Sequence, residues 1–250
     1  MPGKALLPLG DQPLFVQMVK RVQAANTCGT IIVATTTHAA DDEIESICKK
    51  NNLLCFRGHE TDLLDRHYKA AAKLNAEVVV KIPSDCPLID PQIIDEVINY
   101  FISNQSQFDF VSNLHPATWP DGNDVEVMSF KTLEDAWKNA TKNLEREHTT
   151  PYFWDNPSKF KIGNVEWNTK KDYSMSHRFT IDYPEDYLFI KAVFDELYPL
   201  NPLFDCDQIL TLLESREDIF NLNQHYAGVN WYRHHTNELN TIGSSQTKNI

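Results

Sequence analysis

The chain has no apolar run approaching the roughly 20 residues that span a bilayer. It also has no charged-then-apolar leader at its start, which points to a cytoplasmic protein without membrane insertion. Basic residues are scarce: 23 Lys and Arg stand against 35 Asp and Glu, a formal net charge of −12. A nucleic-acid binder normally presents a basic face, so that class is disfavoured. The five cysteines, Cys28, Cys48, Cys55, Cys86 and Cys206, form no CxxC pair and are odd in number. Scattered thiols of this kind read as reduced. The nine histidines show no metal-ligand spacing, and no G-x-S-x-G, Walker A or zinc motif is present. Internal repeats are absent as well.

What is present is alternation. Phe15, Met18, Val19 and Val22 share one helical face. The β-branched run Thr30–Thr35 predicts a buried strand, as do Leu53–Phe56 and Glu77–Ile82. Helical faces lie between and after them, at Ile44, Ile47 and Cys48, at Leu64, Tyr68 and Ala71, and at Ile94, Val97, Ile98 and Phe101. Asp90 and Pro91 suit the cap and first turn of the last of these helices. Such alternation predicts an α/β, three-layer fold with a mostly parallel sheet. Ligands then bind beyond the carboxyl ends of the strands, at 35–40, 57–65 and 83–90.

From about residue 108 the rhythm changes. Phe108–Val111, Val125–Phe130 and Phe160–Trp167 read as strands without intervening helices, and aromatics are dense. Residues 108–178 are therefore expected to form an inserted, partly antiparallel lobe over the site. A strand at Arg178–Ile181 and helices at Pro184–Tyr198 and Asp205–Leu213 follow. The polar, aperiodic stretch 241–250 predicts a tail without structure after a single domain spanning 1–240.

Two aspartates stand out. Asp85, in Ser84-Asp85-Cys86-Pro87, falls just past a strand, and so does Asp182, in Thr180-Ile181-Asp182-Tyr183-Pro184. A carboxylate at such a place can hold Mg²⁺, which prefers oxygen ligands. Turn chemistry alone would also put an aspartate there. Glu185 and Asp186 suit a helix N-terminus. In the segment Phe56–Tyr68, Thr61 or Asp62 suits a helix cap and Asp65 completes the capping pattern. Arg66, one turn in, faces either a phosphate or base or else solvent. Pro120-Asp121-Gly122-Asn123-Asp124 is a turn signal whose acids could also accept sugar hydroxyls.

Taken in order, PGKALLPLGDQPL, TIIVATT, FRG…DLLDRHYKAA, DCPLIDP, DGNDVEV, REHTTPY and TIDYPEDY resemble the cytidylyltransferases of sugar-acid activation. The likeness is greatest to the branch called spore-coat polysaccharide biosynthesis cytidylyltransferase-like proteins. Acylneuraminate and 3-deoxy-manno-octulosonate cytidylyltransferases are more distant. The resemblance implies a nucleotide-diphospho-sugar transferase type of fold, often dimeric through the inserted region. It implies coupling of CTP to a sugar acid with Mg²⁺ and release of pyrophosphate, for surface or coat polysaccharide. It puts Lys4 at the triphosphate and Asp85 and Asp182 on the metal. Arg57, Asp62, Asp65, Arg66 and Ser84 would lie by the nucleotide, and Asp124, Glu126, Arg146 and His148 by the sugar. Two departures accompany it. Members open with an apolar strand and a loop resembling Q-A-R-x-x-S-T-R-L-P-G-K, whereas Met1 stands where that loop's leucine would be. Ser84 replaces a glycine common before the metal aspartate. The first departure implies weak triphosphate binding by the chain as given, with a non-catalytic nucleotide- or sugar-binding relative as the alternative.

Overall fold

The computed structural model describes residues 1–248. The chain enters through a 3-10 turn at Lys4–Leu6 and a tight hairpin of β1 (Pro8–Leu9) and β2 (Gln12–Pro13), with Leu9 opposite Gln12. α1 (Leu14–Gln23) follows at once. The predicted alternation then runs through β3 (Ile32–Thr36), α2 (Asp42–Lys50), β4 (Leu54–Gly58), α3 (Leu63–Lys73), β5 (Val78–Lys81) and α4 (Pro91–Ser103). The expected caps are in place. Asp62 accepts from the Asp65 N–H at 2.8 Å, and Asp90 from the Gln92 N–H at 2.8 Å. Each satisfies one of the orphan donors of a helix N-terminus.

The segment 108–178 contributes β6 (Phe110–Ser112) and β7 (Glu126–Ser129). Next come the helices α5 (Phe130–Asn139), α6 (Asn143–His148) and α7 (Pro151–Trp154), and then β8 (Ile162–Asn164). These strands join β5 in one sheet, in the order β5-β7-β6-β8. β7 runs antiparallel to both neighbours, and β8 parallel to β6. β3 and β4 form a separate parallel pair. The antiparallel character expected of this segment is thus carried by β7, within the main sheet. Its three helices were not read from the sequence.

α8 (Pro184–Leu197), α9 (Cys206–Ser215) and α10 (Glu217–Phe220) complete the α-helices of the described residues, and short 3-10 turns follow. Adjacent strand residues point to opposite faces. Val111 and Val127 accordingly enter one core with Ile94, Val97, Phe189 and Phe194. Phe110 and Met128 enter the other with Leu64, Leu133 and Phe153. Two cores on the two faces of one sheet make the three layers. Arg21, 2% exposed, ties α1 to the edge of the first core. Its guanidinium donates to Ile89 O at 2.8 Å and Phe204 O at 2.5 Å, and lies over the Phe204 ring.

Two expectations need correction. Arg178–Ile181 forms no strand, only a single bridge from Asp121 to Arg178. Its N–H groups go to two different loops: Phe179 N–H to Asp121 O, and Ile181 N–H to Asp85 O at 3.1 Å. No ladder can form from that pattern. In the stretch expected to lack structure, Ile242 and Thr247 are buried and Lys248 N–H donates to Gly228 O at 2.7 Å. Asn249 and Ile250 lie outside the described residues.

The Asp121–Arg178 bridge depends on Gly122. Its φ is +105°, and a Cβ there would stand 2.6 Å from Phe179 C and Thr180 N. Backbone strain and overpacking each cost about 1–3 kcal/mol, so Gly122→Ala is expected to lose about 3 kcal/mol in urea unfolding. A loss under about 0.5 kcal/mol, ordinary for an exposed turn, would contradict this packing.

Candidate functional site

The site is built where three loops meet at the carboxyl end of β5. The 3-10 turn brings Lys4, the loop after β5 brings Asp85, and the segment before α8 brings Asp182. Lys4 Nζ donates to Ile181 O at 2.7 Å and Asp182 Oδ1 at 2.9 Å, and lies 3.6 Å from Asp85 Oδ2. The two aspartates therefore share one ammonium. Asp85 O also accepts from Thr180 Oγ1 at 2.9 Å, which clamps the two loops together. Burial works against the Lys4 charge, but Asp85 and Asp182 outweigh it and hold the pKa above that of an ordinary lysine. Burial would raise Asp182, yet Lys4 and Arg178 hold it below the usual carboxylate value.

Behind Asp182 stands Arg178, with a side chain 1% exposed. Its Nε donates to Asp186 Oδ1 at 2.9 Å, and its Nη2 to Asp182 Oδ2 at 2.9 Å and Asp186 Oδ2 at 3.1 Å. Its Nη1 reaches Asp121 Oδ2 at 3.2 Å and Val229 O at 2.6 Å. Asp186 is fully buried and also accepts from Asn223 Nδ2 and from the Asp182 and Tyr183 N–H groups. Burial, only partly offset by Arg178, pushes Asp121 up to about 7. Burial and the nearby Asp121 push Asp124 well above the ordinary value.

The other expected site residues divide into separate groups. Arg57 is spent on Thr36 O, Asp42, Glu45 and His38 O, where it fastens β4 to α2. Asp62 accepts from Arg146 Nε at 2.9 Å as well as capping α3, and Arg146 also donates to Trp137 O. Asp65 accepts from Trp137 Nε1 at 2.9 Å. Arg66 is buried; its Nη1 reaches His59 O at 3.2 Å, and its Nε has no partner among the described residues. Ser84 is exposed beside Asp85. Glu126 is 1% exposed and paired with Lys81, its neighbour in the β5–β7 register, while its Oε1 has no partner among the described residues. His148 stacks on Trp231 at 3.8 Å between ring centroids. Of the four residues assigned to the sugar, Arg146, Glu126 and His148 thus have different partners, while Asp124 feels the charges of both Asp121 and Glu126.

Sequence reasoning passed over Arg178 and Asn223 as site residues, offered Asp121 only as one of the turn acids able to accept sugar hydroxyls, and read Asp186 only as a helix-terminus acid. The spacing of Arg178 to Asp182 and Asp186, four and eight residues on, was a usable signal.

No cluster of three or more metal-ligating side chains occurs among the described residues. The donor set nevertheless suits Mg²⁺, which binds one or two carboxylates and fills its remaining positions with water and phosphate oxygens. Asp85 and Asp182 already share one cationic group, and the carboxylates of Asp85, Asp121, Asp182 and Asp186 outnumber the cations Lys4 and Arg178.

A sequence profile of the family described as Cytidylyltransferase matches residues 1–228, and the chain belongs to that family. It is 35% identical over 228 residues to an uncharacterised protein of Methanocaldococcus jannaschii, covering 89% of this chain and 88% of that one. It is 28% identical over 223 residues to the spore coat polysaccharide biosynthesis protein SpsF of Bacillus subtilis, covering 87% and 90%. Among solved structures, a cytidylyltransferase from Leptospira borgpetersenii superposes with a TM-score of 0.83 at 32% identity, covering 88% of this chain and 90% of that one. The nucleotidyltransferase fold expected from the sequence is thus the fold observed.

Within α3, His67 is pushed down to about 3 by burial and by Lys81 and Arg66. A folded-state pKa below the ordinary 6.5 means that the unfolded chain binds the extra proton, so stability falls as pH drops through that window. Relative to His67→Asn, the wild type is expected to lose about 1.4 kcal/mol of urea-unfolding free energy between about pH 7 and about pH 5.5. A constant difference across that range would place His67 in a solvated setting.

Proposed function

We propose that this chain transfers CMP from CTP to a sugar acid, releasing pyrophosphate and forming a CMP-sugar for surface or coat polysaccharide. The observation that carries the reading is the meeting of Lys4, Asp85 and Asp182 at one point beyond β5. Membership of the cytidylyltransferase family and the likeness to SpsF support it. Among the described residues no helix is long and apolar enough to cross a membrane, which is compatible with work in the cytoplasm.

The chemistry is an in-line displacement. A sugar hydroxyl oxygen attacks the α-phosphorus, a new P–O bond forms, and the bond to the bridging oxygen of pyrophosphate breaks. The hydroxyl proton passes to solvent. Charge on the phosphoryl oxygens must be stabilised as the bond order shifts. Lys4 presents an ammonium that Asp85 and Asp182 keep charged beside the place the phosphates would take. Asp85 and Asp182 would hold Mg²⁺, which supplies charge neutralisation and alignment of the phosphate oxygens. Arg178, pinned behind, keeps Asp182 in its orientation.

The test is pyrophosphate release with CTP and Mg²⁺ across a panel of sugar acids, with ATP, GTP and UTP as controls. Asp85→Asn and Asp182→Asn should each lower the rate about 100-fold or more, the scale seen when one charge-stabilising group is removed. Full activity in both variants would dismiss the metal site. Failure of every sugar acid to release pyrophosphate, with no heat of CTP binding, would dismiss the transfer reading.

A further inference from the structure

Past α10 the chain returns to the acidic corner. Residues 228–248 form a loop whose ends are joined: the Lys248 N–H donates to Gly228 O at 2.7 Å, and Asn230 Nδ2 to Gln246 O at 2.9 Å. Gly228, at φ +79°, makes the turn into the loop, and the match to the family profile ends at the same residue. The far side of the loop is tied to the core that holds Phe153. Leu239 and Ile242 are buried there, and Asp155 Oδ1 accepts from the Asn240 N–H at 3.0 Å and Thr241 Oγ1 at 3.2 Å. The near side touches the corner twice. Val229 O accepts from Arg178, and Arg233 Nη2 donates to Tyr183 Oη at 3.0 Å.

Tyr183 is the residue after Asp182. Its ring stacks on Tyr226 at 3.8 Å between centroids and lies 5.5 Å from Arg178 Cζ. The N–H groups of Asp182 and Tyr183 both donate to Asp186 Oδ2. Stacking holds the plane of the Tyr183 ring, and the hydrogen bond at Oη fixes its tip. The Asp182 side chain is 48% exposed, so packing alone does not fix it, and its direction depends on the backbone on either side. We propose that Arg233 is a positioning residue for Asp182: through the Tyr183 hydroxyl it holds the 182–183 backbone in the arrangement that keeps the carboxylate between Lys4 and Arg178. The inference deepens the reading of Asp182 as a metal carboxylate. Partners that stand behind a metal-binding carboxylate set its orientation, and losing one weakens the metal.

Hydrogen exchange at the Asp182 and Tyr183 amides tests this on the full chain, together with Mn²⁺ binding followed by electron paramagnetic resonance. Mn²⁺ prefers the same oxygen ligands as Mg²⁺. Arg233→Ala and Tyr183→Phe should each speed exchange at those two amides about tenfold and weaken Mn²⁺ binding about tenfold. The double variant should be no worse than either single one, since both remove the same bond. Arg233→Lys keeps a donor for Tyr183 Oη and should recover part of both losses. Variants that lower the urea midpoint but leave both readouts unchanged would reduce the contact to a purely structural one and overturn the proposal. Effects that add in the double variant would overturn it too. Exchange at the two amides requires neither metal nor nucleotide. Faster exchange in the variants, with no Mn²⁺ binding by the wild type, would uphold the positioning role and remove the metal from Asp182.

Discussion

A single buried guanidinium organises the functional corner of this molecule. Arg178 has five N–H donors, and five acceptor contacts meet them: two from Asp186 and one each from Asp182, Asp121 and Val229 O. Removing such a charge strands its partners, a loss of about 3–5 kcal/mol for a buried pair. Three acids around one base also leave a surplus of negative charge. Lys4 settles on the open side of Asp182 for that reason, while burial first and the neighbouring acids second push Asp121 up. The pairing of Lys4 with the two aspartates is thus a consequence of the charge set beneath it.

On the proposed reading, the same surplus accounts for how a chain of net charge −12 would face a polyanionic substrate. Most of its basic groups are occupied elsewhere. Arg57 fastens β4, Arg21 fastens α1 and Arg146 fastens α6 to α3. The cations remaining at the carboxyl end of β5 are few, so on the proposed reading the carboxylates would have to draw in a divalent cation to supplement them.

The sequence made the βα alternation legible because β-branched runs and helical faces have different periods. Asp85 and Asp182 were legible too, since each follows an apolar run and precedes a turn. Arg178 was hidden because the run Phe179-Thr180-Ile181 looks like a strand, and only the structure reveals that its N–H groups serve two loops. Lys81 and Glu126 pair through a sheet register that no local pattern encodes. α6 and α7 are too short for periodicity, and α5 went unread because its first residue, Phe130, closes the run read as a strand. Asp62 and Arg146 were both marked as candidates for the site, but they satisfy each other across α3 and α6.

The contacts that define the site join residues far apart in the chain. Lys4 and Asp182 are 178 positions apart, Asp85 and Thr180 95, Arg178 and Asp121 57, and Arg178 and Val229 51. Closing such loops costs entropy that local helices do not pay, and non-local contacts are made slowly. The helices of both cores can therefore stand before the acidic corner exists. Competence in this chain therefore hangs on contacts that no local stretch can make: with its helices formed but these loops unclosed, the chain has no corner to offer a ligand.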